Sequence, residues 1–272
     1  MQIQWNKEKK IKRIVLGFII SIIIMANSYS QEYTNNQYSY WDTSLKLFDK
    51  TITKRVLDRI EGEIIETTHN YEIKKEGALT YYIIDGTKYL VLRDNEILYL
   101  FKGNTKPVFA GSMYGPMANE FLYPAQTPIS SSCLNENGRV FNSITMSDKL
   151  GEPWVEDGDG YGIGEWISFS IRSKQTIYIS IGYVDFDKPE LYTENSRPKK
   201  IRLYLDDNFY KDVELKDTPD FQKIKLPPNR FGPDMTKLKI EILEVYKGTK
   251  YDDTCINMVI VDRTGRTEEE TK

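Results

Sequence analysis

The chain predicts a mainly β protein: a C-terminal antiparallel β-sandwich preceded by a small domain with one N-terminal helix and a β-meander. Apolar residues alternate with polar ones in short runs over most of its 272 residues, and Gly, Asn, Asp and Pro separate those runs. Helical spacing is confined to one segment. With 40% hydrophobic and 28% charged residues, the composition fits about two modest globular domains and excludes disorder as a whole.

The first thirty residues stand apart. Lys7, Lys9, Lys10, Lys12 and Arg13 precede the apolar run "IVLGFIISIIIMA", Ile14 to Ala26, and small residues at Ser28 and Ser30 offer a cleavage site before Gln31. That run is shorter than the roughly 20 apolar residues a spanning helix needs. Residues 1–30 therefore read as a signal peptide, with no stable membrane span after its removal. The expected location is the periplasm, the cell surface or the medium. No cysteine follows the run to carry a lipid. The segment holds five of the 37 basic and one of the 40 acidic residues, so the remainder carries 32 against 39. A chain with that acidic excess does not attract nucleic acid through its overall charge, because phosphate neutralisation needs a basic surface.

After the polar lead-in "QEYTNNQYSY", the stretch "SLKLFDKTITKRVLDRIEG" places Leu45, Phe48, Ile52, Val56 and Ile60 three, four or seven residues apart. This spacing predicts an amphipathic helix ending before Gly62. The period then falls to two in "NYEIKKEG", "LTYYIIDG", "KYLVLRDN", "ILYLFKGN" and "PVFAGS", a meander of hairpins. Asp85-Gly86 between two apolar runs is a hairpin signal. The breaker-rich stretch from Gly111 to Pro128 puts a domain boundary near Gln126, giving a small domain of residues 31–126.

Downstream, Ile167, Phe169 and Ile171, then Ile177, Ile179 and Ile181, then Ile201, Leu203 and Leu205 alternate. Leu238, Ile240 and Ile242, and Ile256, Met258 and Ile260, do the same. Each set gives a strand one buried face, and short strands of this kind make a sandwich over residues 127–265. Residues 266–272 are a polar tail. The segment "WVEDGDGYGIGEWI", Trp154 to Ile167, places four glycines between two tryptophans. It is a shaped loop rather than a strand or helix, since glycine loses the most backbone freedom on folding. Trp154 and Trp166 are expected in the core, given the apolar area each buries.

Catalysis finds little support. The single histidine, His69, stands in "ETTHNYEI" with no nucleophile motif elsewhere, and reads as a surface or half-buried residue. Two cysteines and one histidine do not make a spaced zinc set. The "GYGIG" of Gly160 to Gly164 precedes a strand, whereas a phosphate cradle opens a helix. Asp157 and Asp159 resemble the start of an EF-hand loop, but its twelfth position is Ser168. No cofactor is expected beyond a structural calcium through Asp157 or Asp159 with backbone carbonyls, with a solvated turn as the plainer reading. Export would permit a Cys133–Cys255 disulfide, and two buried free thiols are the equal alternative.

Binding is better supported. The loops "GYVDFDKPELYTENSRPKK" and "VYKGTKYDDTC" combine rings, amides, guanidinium and carboxylates, which suits sugars: a ring covers the apolar face of a pyranose and polar groups bond its hydroxyls. Candidate glycan contacts are Tyr183, Tyr192, Asn195, Arg197, Tyr251 and Asp252, with Glu156, Asp159 and Tyr161 as further loop candidates.

"PWVEDGDGYGIGEWI", Gly182-Tyr183, "LYTENSRPKKIRLYL" and "YKGTKYDDTCI" together resemble the NADase-type glycan-binding domain, a discoidin-like relative of galactose-binding β-sandwiches, over about residues 127–265. "ISSSCLNENGRVFNS" matches the first strand and loop of such domains. The pattern departs at Asp157, where the family has Gly, and at Ser196, where it has Asn. The resemblance implies a jelly-roll sandwich that binds carbohydrate; no secreted NADase catalytic domain is identified beside it.

The sequence thus predicts an exported, non-catalytic carbohydrate-binding protein with a glycan or glycoconjugate as partner. Its rivals are an envelope structural or adhesion protein gripping a protein through the same loops, and an N-terminal barrel that carries a small ligand.

Overall fold

A computed structural model describes residues 37–40, 42–113, 122–124, 126–142, 149–172, 176–227 and 235–262. The expected signal peptide and polar tail lie outside the described residues. β1 (Gln37–Tyr40), β2 (Thr43–Leu47), β3 (Thr51–Leu57), β4 (Ile64–Glu76), β5 (Leu79–Ile84), β6 (Thr87–Arg93), β7 (Ile97–Phe101) and β8 (Phe109–Ser112) form a closed antiparallel barrel in chain order. Asp85 and Gly86 both take positive φ, 48° and 74°, between β5 and β6, so the Asp-Gly hairpin signal is met. The barrel closes where Ser39 of β1 pairs with Ser112 of β8. Tyr38, Leu45, Ile52, Tyr82, Leu98 and Leu100 pack its interior.

The expected N-terminal helix is not formed. Its residues are β2 and β3, paired from Thr43↔Val56 to Leu47↔Ile52. Leu45 and Ile52 enter the barrel core, whereas Phe48 is 46% exposed and Ile60 is 96% exposed in the β3–β4 connection. The helical spacing was incidental to a period of two on β3, where Ile52 and Val56 share a face, and the β-branched Thr51, Ile52, Thr53 and Val56 favour a strand.

The remaining strands build the sandwich. One sheet has the order β10 (Gln126–Ser130), β14 (Trp166–Arg172), β19 (Met235–Tyr246), β16 (Arg197–Leu205), β17 (Asn208–Glu214). The other runs β13 (Trp154–Val155), β20 (Cys255–Asp262), β15 (Thr176–Ile181), β18 (Gln222–Lys225), with β9 (Leu122–Pro124) also on β20. β9 therefore joins the sandwich from the N-terminal side of Gln126. A small hairpin, β11 (Asn135–Glu136) with β12 (Arg139–Val140), and one short helix, α1 (Leu191–Glu194), complete the elements. Ile167, Phe169, Ile179, Leu203, Ile240 and Val259 meet between the sheets. Each such side chain contributes about 1.5–3 kcal/mol on burial.

The two parts share a second core. Tyr81, Leu90, Leu92, Ile97 and Tyr99, on the outer side of the barrel, pack on Tyr178, Tyr192, Phe221, Met258 and Ile260. Tyr178 and Ile260 lie on the side of their sheet opposite to Ile177 and Val261, which face the sandwich interior. Tyr81 Oη donates to the Phe186 carbonyl (3.0 Å), Tyr178 Oη to the Glu96 carboxylate (2.6 Å), and Phe221 N to the Arg93 carbonyl (3.1 Å). The barrel therefore covers the outer face of the sheet containing β15 and β20. The outer face of the five-stranded sheet looks away from it. No helix among the described residues is long and apolar enough to cross a membrane.

Candidate functional site

Two loops meet at one end of the sandwich. In the glycine-rich loop, Glu156 is fully buried, and its carboxylate accepts Gly158 N (2.7 Å) and Thr254 N (2.9 Å). Thr254 Oγ1 donates to the Tyr161 carbonyl (2.9 Å), fastening the far side of the same loop to the start of β20. Gly162 turns back over Glu156 at φ +65°, and a Cβ there would lie 2.3 Å from Glu156 Cδ. The glycines thus wrap a tight backbone path around one buried carboxylate. Burial raises the Glu156 carboxyl against those two backbone donors, which lower it.

The second loop, residues 247–253, hangs from α1. Thr249 N donates to the Thr193 carbonyl (3.0 Å), and Lys250 N and Tyr251 N donate to the Glu194 carbonyl (3.1 and 2.9 Å), satisfying carbonyls that a helix end leaves unpaired. Ser196, fully buried, accepts Gly248 N at 2.9 Å and donates to the Tyr251 carbonyl at 3.2 Å. Its short hydroxyl serves both bonds at the position where the resemblance expects Asn. A Cβ on Gly248 would sit 2.4 Å from the carbonyl oxygens of Glu194 and Tyr251.

Above this scaffold is an exposed rim. Asp157, Asp159, Asp252 and Tyr251 are exposed, and Tyr161 is half-buried with Lys247 Nζ 4.3 Å from its ring centroid. Lys250 Nζ stands 4.7 Å from the Tyr251 ring. Burial, then the charges of Glu136, Asp157 and Asp252, raise the Asp253 carboxyl, so four carboxylates share this end. The sequence offered no reason to single out Lys247.

Three of the six glycan candidates are not on the rim. Arg197, 5% exposed, donates to both Asp217 carboxylate oxygens (2.8 and 2.7 Å) and to the carbonyls of Tyr192 (3.2 Å) and Asn195 (2.9 Å). Its guanidinium lies 5.0 Å from the Tyr192 ring. Tyr192, 1% exposed, donates to Asp217 (3.0 Å) and belongs to the core shared with the barrel. Asn195, 7% exposed, donates to the Leu191 carbonyl (2.9 Å). These polar atoms are spent inside the protein, which corrects the reading of all three as ligand contacts. Burial would raise the Asp217 carboxyl, but the Arg197 hydrogen bonds and charge outweigh it and hold the carboxyl low. Burial pushes the Tyr192 hydroxyl up. Glu156 is corrected in the same way: it supports the loop from beneath.

Tyr183 is half-buried, packs against Phe141 and donates to the Gly151 carbonyl at 3.4 Å. Trp154 fills the core as expected, its indole N–H donating to the Ser132 carbonyl at 3.0 Å. Trp166 does not: Ile167 takes the inward position on β14, so Trp166 lies half-buried on the outer face of its sheet.

Cys133 and Cys255 are both free thiols. Among the described residues no group of three or more His, Cys, Asp or Glu side chains could hold a metal ion. His69 lies on the barrel, where it bonds Asp85 through Nδ1 and Thr67 Oγ1 through Nε2 (2.9 Å).

Residues 123–262, just over half of the chain, match the NAD glycohydrolase translocation F5/8 type C domain. The chain belongs to that family, and the match bears out the resemblance read over residues 127–265. No curated protein matches with significance. The chain is similar to several solved structures. The family 32 carbohydrate-binding module from C. perfringens NanJ in complex with galactose is 11% identical, with 53% of this chain and 95% of that chain covered and a TM-score of 0.34. A family 35 carbohydrate binding module from an environmental isolate is 12% identical, with 53% and 93% covered and a TM-score of 0.30. The CBM36-1 domain of a multidomain xylanase from the hindgut metagenome of Trinervitermes trinervoides is 10% identical, with 52% and 94% covered and a TM-score of 0.28.

Proposed function

We propose that the protein is an exported, non-catalytic carbohydrate-binding protein whose glycan site is the loop rim of the sandwich. The supporting observation is a division of labour: Glu156, Ser196 and the carbonyls of α1 fix the loops from beneath, leaving Tyr161, Tyr251 and Asp252 to face outward. Tyr251 and Tyr161 stack on the sugar, and Asp252, Asp159 and Asp157 accept its hydroxyls. Tyr183 adds its ring edge from the neighbouring loop. Preorganised loops lower the entropy lost on binding, but an open rim buries little ligand, so single-site affinity is weak and avidity comes from multiple copies.

Ile163, 57% exposed beside Tyr161, gives the rim an apolar element and keeps a protein partner as the second reading. A glycan array probed with the purified protein, beside Tyr251→Ala and Asp252→Ala variants, separates the two. The proposal expects specific spots that both variants weaken and free sugar competes away. Rim-dependent attachment to cell envelopes that free sugar leaves untouched would move the assignment to a protein partner.

A further inference from the structure

The outer face of the five-stranded sheet carries two registered rows. Lys239 on β19 is opposite Tyr204 on β16, which is opposite Phe209 on β17; one row along, Trp166 on β14 is opposite Glu241, then Arg202, then Asp212. Three aromatic residues thus share one sheet face. Phe209 is 62% exposed, and Tyr204 and Trp166 are half-buried. With strands about 4.8 Å apart, Trp166 and Tyr204 stand roughly 10 Å apart across the sheet, and Phe209 one strand further. Between the rings lie paired charges: Arg202 on Asp212 (2.7 and 3.0 Å) and Lys239 near Glu241 (4.0 Å). Lys239 also lies 3.9 Å from the Tyr204 ring and Arg202 5.3 Å from the Phe209 ring.

We propose that this face is a second binding surface, separate from the loop rim, that takes an extended neutral polysaccharide lying across the strands. Balanced charge selects the ligand: Lys200, Arg202 and Lys239 against Asp212, Glu214 and Glu241, three cations and three carboxylates, offer no net attraction to an anionic polymer. The interleaving selects it further. A protein interface concentrates its apolar area and is depleted of charge at its centre, whereas here every ring is flanked by an ion pair that would lose its water. Sugar hydroxyls replace that water on Arg202, Lys239, Glu241 and Asp212, while the apolar faces of successive sugars cover the rings. A linear chain reaches several rings at once, and a monosaccharide reaches only one.

Electrophoresis of the purified full-length protein through gels containing soluble neutral xylan, glucomannan or mixed-linkage β-glucan tests this surface. At least one polymer is expected to retard the protein. The Trp166→Ala/Phe209→Ala variant should bind it about tenfold more weakly with an unchanged unfolding midpoint, and Tyr251→Ala should bind as the parent does. If the double variant fails to fold, Phe209→Ala alone must weaken retardation while Trp166→Phe, which keeps a ring, preserves most of it. Unretarded migration of the parent in all three gels, or retardation that survives loss of the rings, overturns the proposal. Retardation lost only in Tyr251→Ala overturns it in favour of the rim.

Discussion

The cluster around Arg197 and the rim around Tyr251 draw on the same residue types, tyrosine with charge and amide, and are joined through α1. One is sealed and the other open. Arg197, Tyr192 and Asn195 turn their polar atoms onto Asp217 and on backbone carbonyls. Tyr251 contributes its backbone to the fold, and both Tyr251 and Asp252 leave their side chains exposed. The difference teaches that a sugar-friendly composition does not by itself mark a sugar site. What separates the two clusters is where each side chain's hydrogen bonds go.

The largest effect that would test this contrast is Arg197→Ala. It leaves two carbonyls without that donor and Asp217 with the Tyr192 hydroxyl alone, and removing one partner of a buried pair costs about 3–5 kcal/mol. Asp217 is 40% exposed, which places the expected loss toward about 3 kcal/mol. Urea denaturation measures it, and a loss below 1 kcal/mol would return Arg197 to the list of ligand contacts. Next comes Gly162→Ala against Gly160→Ala. Both glycines have positive φ, but a Cβ at Gly160 meets nothing within 4 Å, whereas at Gly162 it runs into Glu156. The Gly160 change should cost about 1–2 kcal/mol for backbone strain alone and the Gly162 change clearly more, read from thermal unfolding.

The sandwich was legible because strand alternation survives in the sequence: Ile167, Phe169 and Ile171 all enter its core. The barrel's hairpins were legible from Asp85-Gly86 and the period of two, but its second and third strands were hidden by an accidental helical spacing from Leu45 to Ile60. Trp166 was misplaced because residue size argued for burial, while its neighbour Ile167 had already claimed the inward phase. The fate of Arg197 depended on Asp217, twenty residues away in a loop without any motif. The docked barrel was illegible for a related reason: Tyr178, Met258 and Ile260 face a partner surface that no local pattern announces.

Acid titration sharpens the contrast, since the two regions hold carboxyls displaced in opposite directions. Asp217 lies below its ordinary 3.8 because Arg197 overcomes its burial. Its contribution is present above pH 3.8 and is lost as pH falls through the lower folded value. Asp253 is raised by burial and by its acidic neighbours, so its ionisation opposes folding as pH rises above 3.8 through the higher folded value. Asp217→Asn should therefore be less stable than the parent at pH 7, with the gap closing below pH 3.8. Asp253→Asn should be the more stable at pH 7, with its advantage fading as pH falls toward 3.8. Unfolding midpoints of the three proteins from pH 7 to pH 3 give the comparison, and parallel curves would show that neither carboxyl is coupled to folding in this way.

The smallest effect on stability carries the most functional weight. Tyr251 is 38% exposed and touches the fold mainly through its backbone, whose N–H reaches the Glu194 carbonyl and whose carbonyl accepts from Ser196. Replacing it with alanine keeps both bonds and removes a ring that only Lys250 approaches in the described contacts. The expected change in stability is within about 0.5 kcal/mol, as for other exposed positions. The same substitution at Tyr192 removes a ring wedged between Gly182, Arg197 and the barrel-facing core, and should cost about 3–5 kcal/mol. Unfolding and glycan-array binding of the two variants, measured side by side, should therefore come out reversed. Tyr251→Ala stays folded and loses binding; Tyr192→Ala loses stability, and the fraction that remains folded still binds. If Tyr251→Ala retains every array signal, the open side of the contrast loses its role in binding although its geometry stands.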